Sequence, residues 1–147
     1  MPHNKEIDRV KNISDLLVDT KTAWIDFPGF KGFEVEVAIL SRPELTKLRK
    51  SCVQSKFNRS SRNAEETLDE EKFVSRFSRA TVKNWKGLTL EIMDALVLID
   101  MGDFQPDELV EFSPDNAETL VTHSSEFDQW LNEVVFDLDN FRNRSEG

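Results

Sequence analysis

Between Ala23 and Ile39 apolar and polar residues alternate with a period of two. Ala23, Ile25 and Phe27 alternate with Trp24 and Asp26. Past Pro28-Gly29-Phe30-Lys31-Gly32, Phe33, Val35, Val37 and Ile39 alternate with Glu34, Glu36 and Ala38. Such alternation, rich in β-branched residues and broken by a Pro/Gly turn, predicts a β-hairpin over 21–40. An isolated hairpin is barely stable in water. The Phe33/Val35/Val37/Ile39 face therefore has to rest on helices or join another chain's sheet.

After Leu40 the period lengthens to that of a helix. Ser41-Arg42-Pro43-Glu44 is a capping box that starts a helix over about 42–57, with Leu45, Leu48, Cys52 and Val53 inward and Lys47, Arg49, Lys50 and Lys56 outward. The polar, Ser-rich run 58–66 reads as a loop. Thr67-Leu68-Asp69-Glu70 repeats the capping pattern. Phe73, Phe77 and Ala80 or Thr81 then share one stripe, which predicts a helix over 68–86 closed by a left-handed turn at Gly87. Thr89 caps a helix over 89–101 with Leu88, Ile92, Leu96 and Ile99 on one face, and Gly102 stops it. Ser113-Pro114-Asp115 combines a hydroxyl N-cap, a first-turn proline and an acid at the positive end of the helix dipole. It starts a helix over 114–123 whose inner face is Ala117, Leu120 and Val121. Ser124 or Ser125 caps the last helix, 125–142, with the stripe Phe127, Trp130, Leu131, Val134, Val135, Leu138 and Phe141.

The expected fold is α+β: an N-terminal hairpin packed on about five helices, one domain over 21–142, with Phe73, Phe77, Trp85, Phe127, Trp130 and Leu131 in the core. Residues 1–20 form an arm. Ile7, Val10, Ile13, Leu16 and Leu17 fit a short amphipathic helix there, the preferred reading, or a segment that docks only on a partner. Residues 143–147 are expected to be a disordered tail.

Charge divides this pattern in two. Through Gly87 the chain has 17 Lys/Arg against 13 Asp/Glu; from Leu88 onward it has 2 against 15. The net charge of −9 argues against general binding to nucleic-acid backbones, where phosphates want Lys and Arg. The basic cluster Lys47, Arg49, Lys50, Lys56, Arg59 and Arg62 reads as a solvated helix face or a match for the acidic half, within one molecule or between copies. A length of 147 residues suits a single domain. One cysteine, Cys52, leaves no intramolecular disulfide and no thiolate cluster. With no basic-then-apolar leader and no apolar run near the roughly 18–20 residues of a membrane span, the expectation is a cytoplasmic protein without membrane contact.

Candidate chemistry is sparse. His3 lies near the terminus, His123 reads as a polar cap between helices, and Cys52 sits on the inner face of its helix. The five glycines, Gly29, Gly32, Gly87, Gly102 and Gly147, form no phosphate-binding loop. Asp100, Asp103, Asp107 and Glu108 do not match the spacing of a calcium loop. No catalytic, cofactor-binding or metal-binding residue is expected. The aromatic residues offer more: Trp24, Phe27, Phe30 and Phe33 cluster around the hairpin turn and are the candidate partner-binding residues. The opposing reading, equally weighted, folds those rings back under the hairpin.

The order of pieces resembles a known family. A Trp24-x-Asp26-Phe27-Pro28-Gly29-Phe30 hairpin is followed by a charged helix and a Phe-rich helix ending Val82-Lys83-Asn84-Trp85-Lys86-Gly87-Leu88. An apolar helix, Phe112-Ser113-Pro114-Asp115-Asn116-Ala117 and an acidic amphipathic helix complete it. Over roughly Thr22 to Arg142 this is similar to the tail assembly chaperones of long-tailed, siphovirus-type bacteriophages. The resemblance implies a non-catalytic protein that acts in tail morphogenesis in the host cytoplasm. It would bind and solubilise the tape measure protein, help recruit tail tube protein around it, and be absent from the mature virion. The resemblance brings no catalytic residues and no sharply defined binding residues. A homo-oligomer is compatible with it. Two rival expectations are a structural tail or neck protein retained in the virion, and an acidic decoy for a host nucleic-acid-binding protein.

Overall fold

The middle strand of the main sheet is the run whose alternation is cleanest. In the computed structural model, which describes residues 9–60 and 62–136, β2 (Glu34–Leu40) lies between β1 (Thr20–Asp26) and β5 (Val82–Lys86), antiparallel to both. Ile25 stands opposite Val35, and Val35 opposite Trp85. The turn between β1 and β2 is two successive tight turns. Phe30 N–H donates to the Phe27 carbonyl and Phe33 N–H to the Phe30 carbonyl, while Phe27 N–H closes the pair onto the Phe33 carbonyl at 2.9 Å.

Helices pack on this sheet and on one another. They are α1 (Arg42–Ser51), α2 (Glu70–Thr81), α3 (Leu90–Leu96), α4 (Pro114–His123) and α5 (Ser125–Phe136). One core joins Ile25, Phe33, Val35 and Val37 of the hairpin to Phe77, Leu120, Phe127 and Leu131 of the helices, with Ile39 packed at its edge. The fold is thus α+β with an N-terminal antiparallel hairpin on helices, as its two periodicities predict. Caps appear where the side chains allow them. Ser41, Asp69, Thr89 and Ser113 each accept from the backbone N–H three residues on, and the Ser124 hydroxyl does so for Phe127 at 3.0 Å. No helix of the described residues is long and apolar enough to cross a membrane.

Four boundaries differ from the sequence expectation. The first helix stops at Ser51 instead of continuing to 57, because Cys52 leaves the helix with its N–H on the Arg49 carbonyl. The following residues form a second hairpin, β3 (Val53–Asn58) with β4 (Asn63–Leu68), where a loop was expected. Its base is closed by Asp69 N–H on the Cys52 carbonyl and by Gln54 Nε2 on the Asp69 carboxylate, both at 2.7 Å. The Phe-rich helix ends at Thr81, and 82–86 become β5. The helix after Thr89 ends at Leu96, where Val97 is extended. β-Branched Val97 and Ile99 are poor helix continuations, and Asp100 instead caps a turn through Gly102 N–H. Within the arm, residues 9–19 show one 3-10 turn, Ile13–Asp15, in place of an amphipathic helix. The expected extension 137–142 of the last helix and the tail 143–147 lie outside the described residues.

β5 carries a bulge. Glu36 pairs with Asn84 but Val37 pairs with Val82, so Lys83 is the extra residue. The bulge re-phases the strand, and Val82 and Trp85 are both buried although three positions separate them. Gly87 follows this strand and does not end the helix. Its φ is +77°, and a side chain there would overlap the Gly32 carbonyl oxygen of the hairpin turn. Gly87→Ala is expected to cost about 2–4 kcal/mol, from the left-handed backbone and the displaced turn. A urea melt of the purified variant checks this, and an unchanged midpoint would contradict the close approach.

Arg79 joins α2 to α4. Its guanidinium pairs with Asp115 and, at 3.1 Å, with Glu118. The Ser75 hydroxyl donates to the same Glu118 oxygen. Ser75 first, then Arg79, hold the Glu118 carboxyl below its ordinary value. A carboxylate with a depressed folded pKa contributes stability above its unfolded pKa and loses it as pH falls through the folded one. Glu118→Gln should therefore lower stability at neutral pH by under about 1 kcal/mol, since the pair is partly exposed. It should also flatten the acid limb of the stability curve, which thermal melts between neutral pH and the unfolded-state value of 4.5 and below can follow.

Candidate functional site

At the hairpin turn two of the three phenylalanine rings fold back into the core. Phe27 and Phe33 are buried, with the Phe27 ring 5.4 Å from Phe33, 5.6 Å from Phe127 and edge-on to Trp130 at 5.0 Å. Phe30 is half-buried and stacks on Phe27 at 5.8 Å. The two glycines with positive φ, Gly29 and Gly32, fold the rings back under the turn. Of the four candidate residues only Trp24 is exposed, on the opposite face of the sheet. Lys86 Nζ lies 4.7 Å from its ring centre and also pairs with Glu34 at 3.3 Å. Trp24 is therefore already engaged by its own sheet. The six expected core residues fall as follows: Phe77, Trp85, Phe127, Trp130 and Leu131 are buried, and Phe73 packs on the core from a half-buried position.

A different apolar surface lies on the other side of Trp85. The chain after α3 turns away at Val97, runs through 98–105, and returns antiparallel to the start of α3. Leu90 and Glu91 donate to the Glu108 and Pro106 carbonyls, and Val110 N–H donates to Leu88. This return opens a cavity of about 290 Å³ between the α3 end and α4. Trp85 and Leu120 are its buried members; Met93, Val97, Ile99 and Val110 are half-buried at its sides. Leu98 stands at its edge fully exposed. Trp85 is held by its indole N–H, which donates to the Val110 carbonyl at 2.9 Å, and by an edge-on contact with Phe112 at 5.1 Å.

The α4 side of the cavity is a helical stripe, Asn116, Thr119, Leu120 and His123. Of these, Leu120 is buried and the three polar members are exposed; Asn116 Nδ2 donates to the Glu111 carbonyl and Thr119 Oγ1 to the Asp115 carbonyl, both at 2.9 Å, so two of the polar groups are engaged by their own chain. Exposed acids neighbour the lining residues along the chain: Asp94 beside Met93, Asp100 beside Ile99, Glu111 beside Val110. No Lys or Arg occurs anywhere from Leu88 to Phe141. Arg79, the cation that meets α4, is taken up by Asp115 and Glu118.

Among the described residues no group of three or more His, Cys, Asp or Glu could hold a metal ion. Cys52 is buried, with Ser51 Oγ 3.6 Å away. His123 stands exposed at the end of α4. Sequence reasoning did not single out this cavity. Its one signal was Leu96-Val97-Leu98-Ile99, a four-residue apolar run too wide for the single stripe of a short helix. Comparison with family models, with curated proteins and with solved structures returned no match to this chain.

Proposed function

We propose that this protein is a tail assembly chaperone of a long-tailed bacteriophage. It binds the tape measure protein in the host cytoplasm, keeps it soluble, helps recruit tail tube subunits, and leaves before the particle is complete. The observation that supports the reading best is an apolar cavity walled mainly by residues 93–123, a segment that carries acids and no Lys or Arg. A carrier of a long, sticky, amphipathic client needs apolar surface to shield it and a single-sign charge to keep the assembly dispersed. The order of the Trp24–Phe30, Val82–Leu88 and Phe112–Ala117 motifs supports the same assignment.

Co-expression tests it. The tape measure protein encoded beside this gene should move from the insoluble to the soluble fraction when this chain is present, and the two should co-purify. Purified virions should lack the chain by mass spectrometry. No change in solubility together with no co-purification would sink the proposal. A second reading, a tail or neck protein retained in the particle, draws on β1, whose outer edge has no neighbour in the sheet of the described residues. Edge-to-edge pairing of such strands can build a ring, and stoichiometric amounts in virions would favour it.

A further inference from the structure

We infer that the cavity between the end of α3 and α4 is the docking groove for a cationic amphipathic helix of a partner protein. This deepens the chaperone reading and rests on it only for which protein supplies the helix; the groove itself is argued from its own geometry and charge.

Shape comes first. Asn116, Thr119, Leu120 and His123 lie at i, i+3, i+4 and i+7 along α4, so the wall runs about 10 Å, two helical turns. The opposite wall, Met93 to Ile99, leaves the helix and becomes extended at Val97. A cavity of about 290 Å³ is small for a drug-sized ligand. It is suited to two or three apolar side chains presented at the same i, i+3/i+4, i+7 spacing by a helix laid beside α4. Leu98 extends the apolar surface beyond the cavity, and Phe104 and Leu109 are exposed on the loop that returns from it.

Charge then selects the guest. With acids at Asp94, Asp100 and Glu111, no Lys or Arg from Leu88 to Phe141, and Lys83 and Lys86 beside Trp85 engaged by the Arg79 carbonyl and by Glu34, a helix flanked by carboxylates would be repelled. One flanked by lysine or arginine would be attracted and steered. In a second copy the basic helix α1 has Leu45 and Leu48 packed on its own core; its arm, with Val10, Ile13, Leu16 and Leu17 exposed beside Lys11, is the rival occupant that the self-association arm of the test detects.

The test uses the full-length protein and a labelled peptide of about 15 residues, two groove lengths. The peptide has leucine at i, i+3, i+4 and i+7 and lysine on its other faces; a twin has glutamate in place of lysine. The lysine peptide should bind at least tenfold more tightly than its twin in low salt. The gap should close in 1 M salt, where screening acts within about 3 Å. Leu98→Ser should weaken the lysine peptide at least tenfold without moving the thermal midpoint, because Leu98 is fully exposed. Asp94→Asn with Glu111→Gln should narrow the gap between the peptides. Failure of the lysine peptide to bind, equal binding of both, or indifference to Leu98→Ser overturns the inference. So does self-association, seen by sedimentation, that Leu98→Ser abolishes, because a second copy would then be the occupant. The two proposals fail separately. A chain that rescues the tape measure protein but ignores the peptide loses the groove and keeps the chaperone role. A chain that binds the peptide but rescues nothing keeps the groove and loses the role.

Discussion

Phe27→Ala is expected to destabilise the protein by about 3–5 kcal/mol. For a domain of this size that lowers the melting temperature by roughly 10 °C or more. The ring is 2% exposed and lies at the centre of an aromatic cluster made with Phe30, Phe33, Phe127 and Trp130. It is also the point where the hairpin turn is fastened to α5. Truncation removes the ring's burial and leaves a cavity whose walls come from two different elements, a turn and a helix. Collapse of one onto the other would have to displace the hydrogen bond from Phe27 N–H to the Phe33 carbonyl. If the turn were a partner-binding tip, the same substitution would spare stability and abolish client binding. Urea melts and client co-purification on one preparation separate the two: an unchanged midpoint with lost binding would restore the tip as a contact surface.

That ambiguity shows where the sequence is legible and where it is not. The β1–β2 hairpin and the starts of four helices follow from residues acting on near neighbours. Alternation at 33–39 and the side-chain caps at Ser41, Thr89, Ser113 and Ser124 are local physics, and the structure shows each. Helix ends were less legible because competing partners lie far away in sequence. Val82 and Trp85 are three apart, the spacing of a helical stripe, so the helix was extended through them. The bulge at Lys83 produces the same burial in a strand, and β2, more than forty residues earlier, supplies the ladder. Val53 to Leu68 reads as helix and loop because its strands carry Gln, Ser, Lys and Glu. Their pairing shows in no one strand's pattern, and β4 buries no side chain fully. The groove was hidden for a related reason. A helix prolonged to 101 carries Ile99 on its inner stripe, and only the early stop at Leu96 sends the chain from Val97 out and back to wall the cavity.

Trp85→Ala should be as damaging as Phe27→Ala, about 3–5 kcal/mol, and should differ in what it does to binding. Trp85 faces Val35 across the sheet, touches Phe112 edge-on, and donates its indole N–H to the Val110 carbonyl. It therefore ties the sheet to the returning segment that forms one side of the groove. Removing it deletes the groove's floor and takes the donor from Val110 together. Trp85→Phe separates these effects. Phenylalanine retains most of the apolar ring but cannot donate, so the cost should fall to about 1–3 kcal/mol, that of a carbonyl deprived of its partner. In the peptide assay, at a temperature where both variants are folded, Trp85→Phe should retain binding within a few-fold. Trp85→Ala should lose at least tenfold, with leucine side chains entering an oversized and mispositioned cavity. Equal stability losses for the two variants would show that the hydrogen bond, and not the packed ring, holds this corner. Undiminished peptide binding by Trp85→Ala would place the guest helix elsewhere on the molecule.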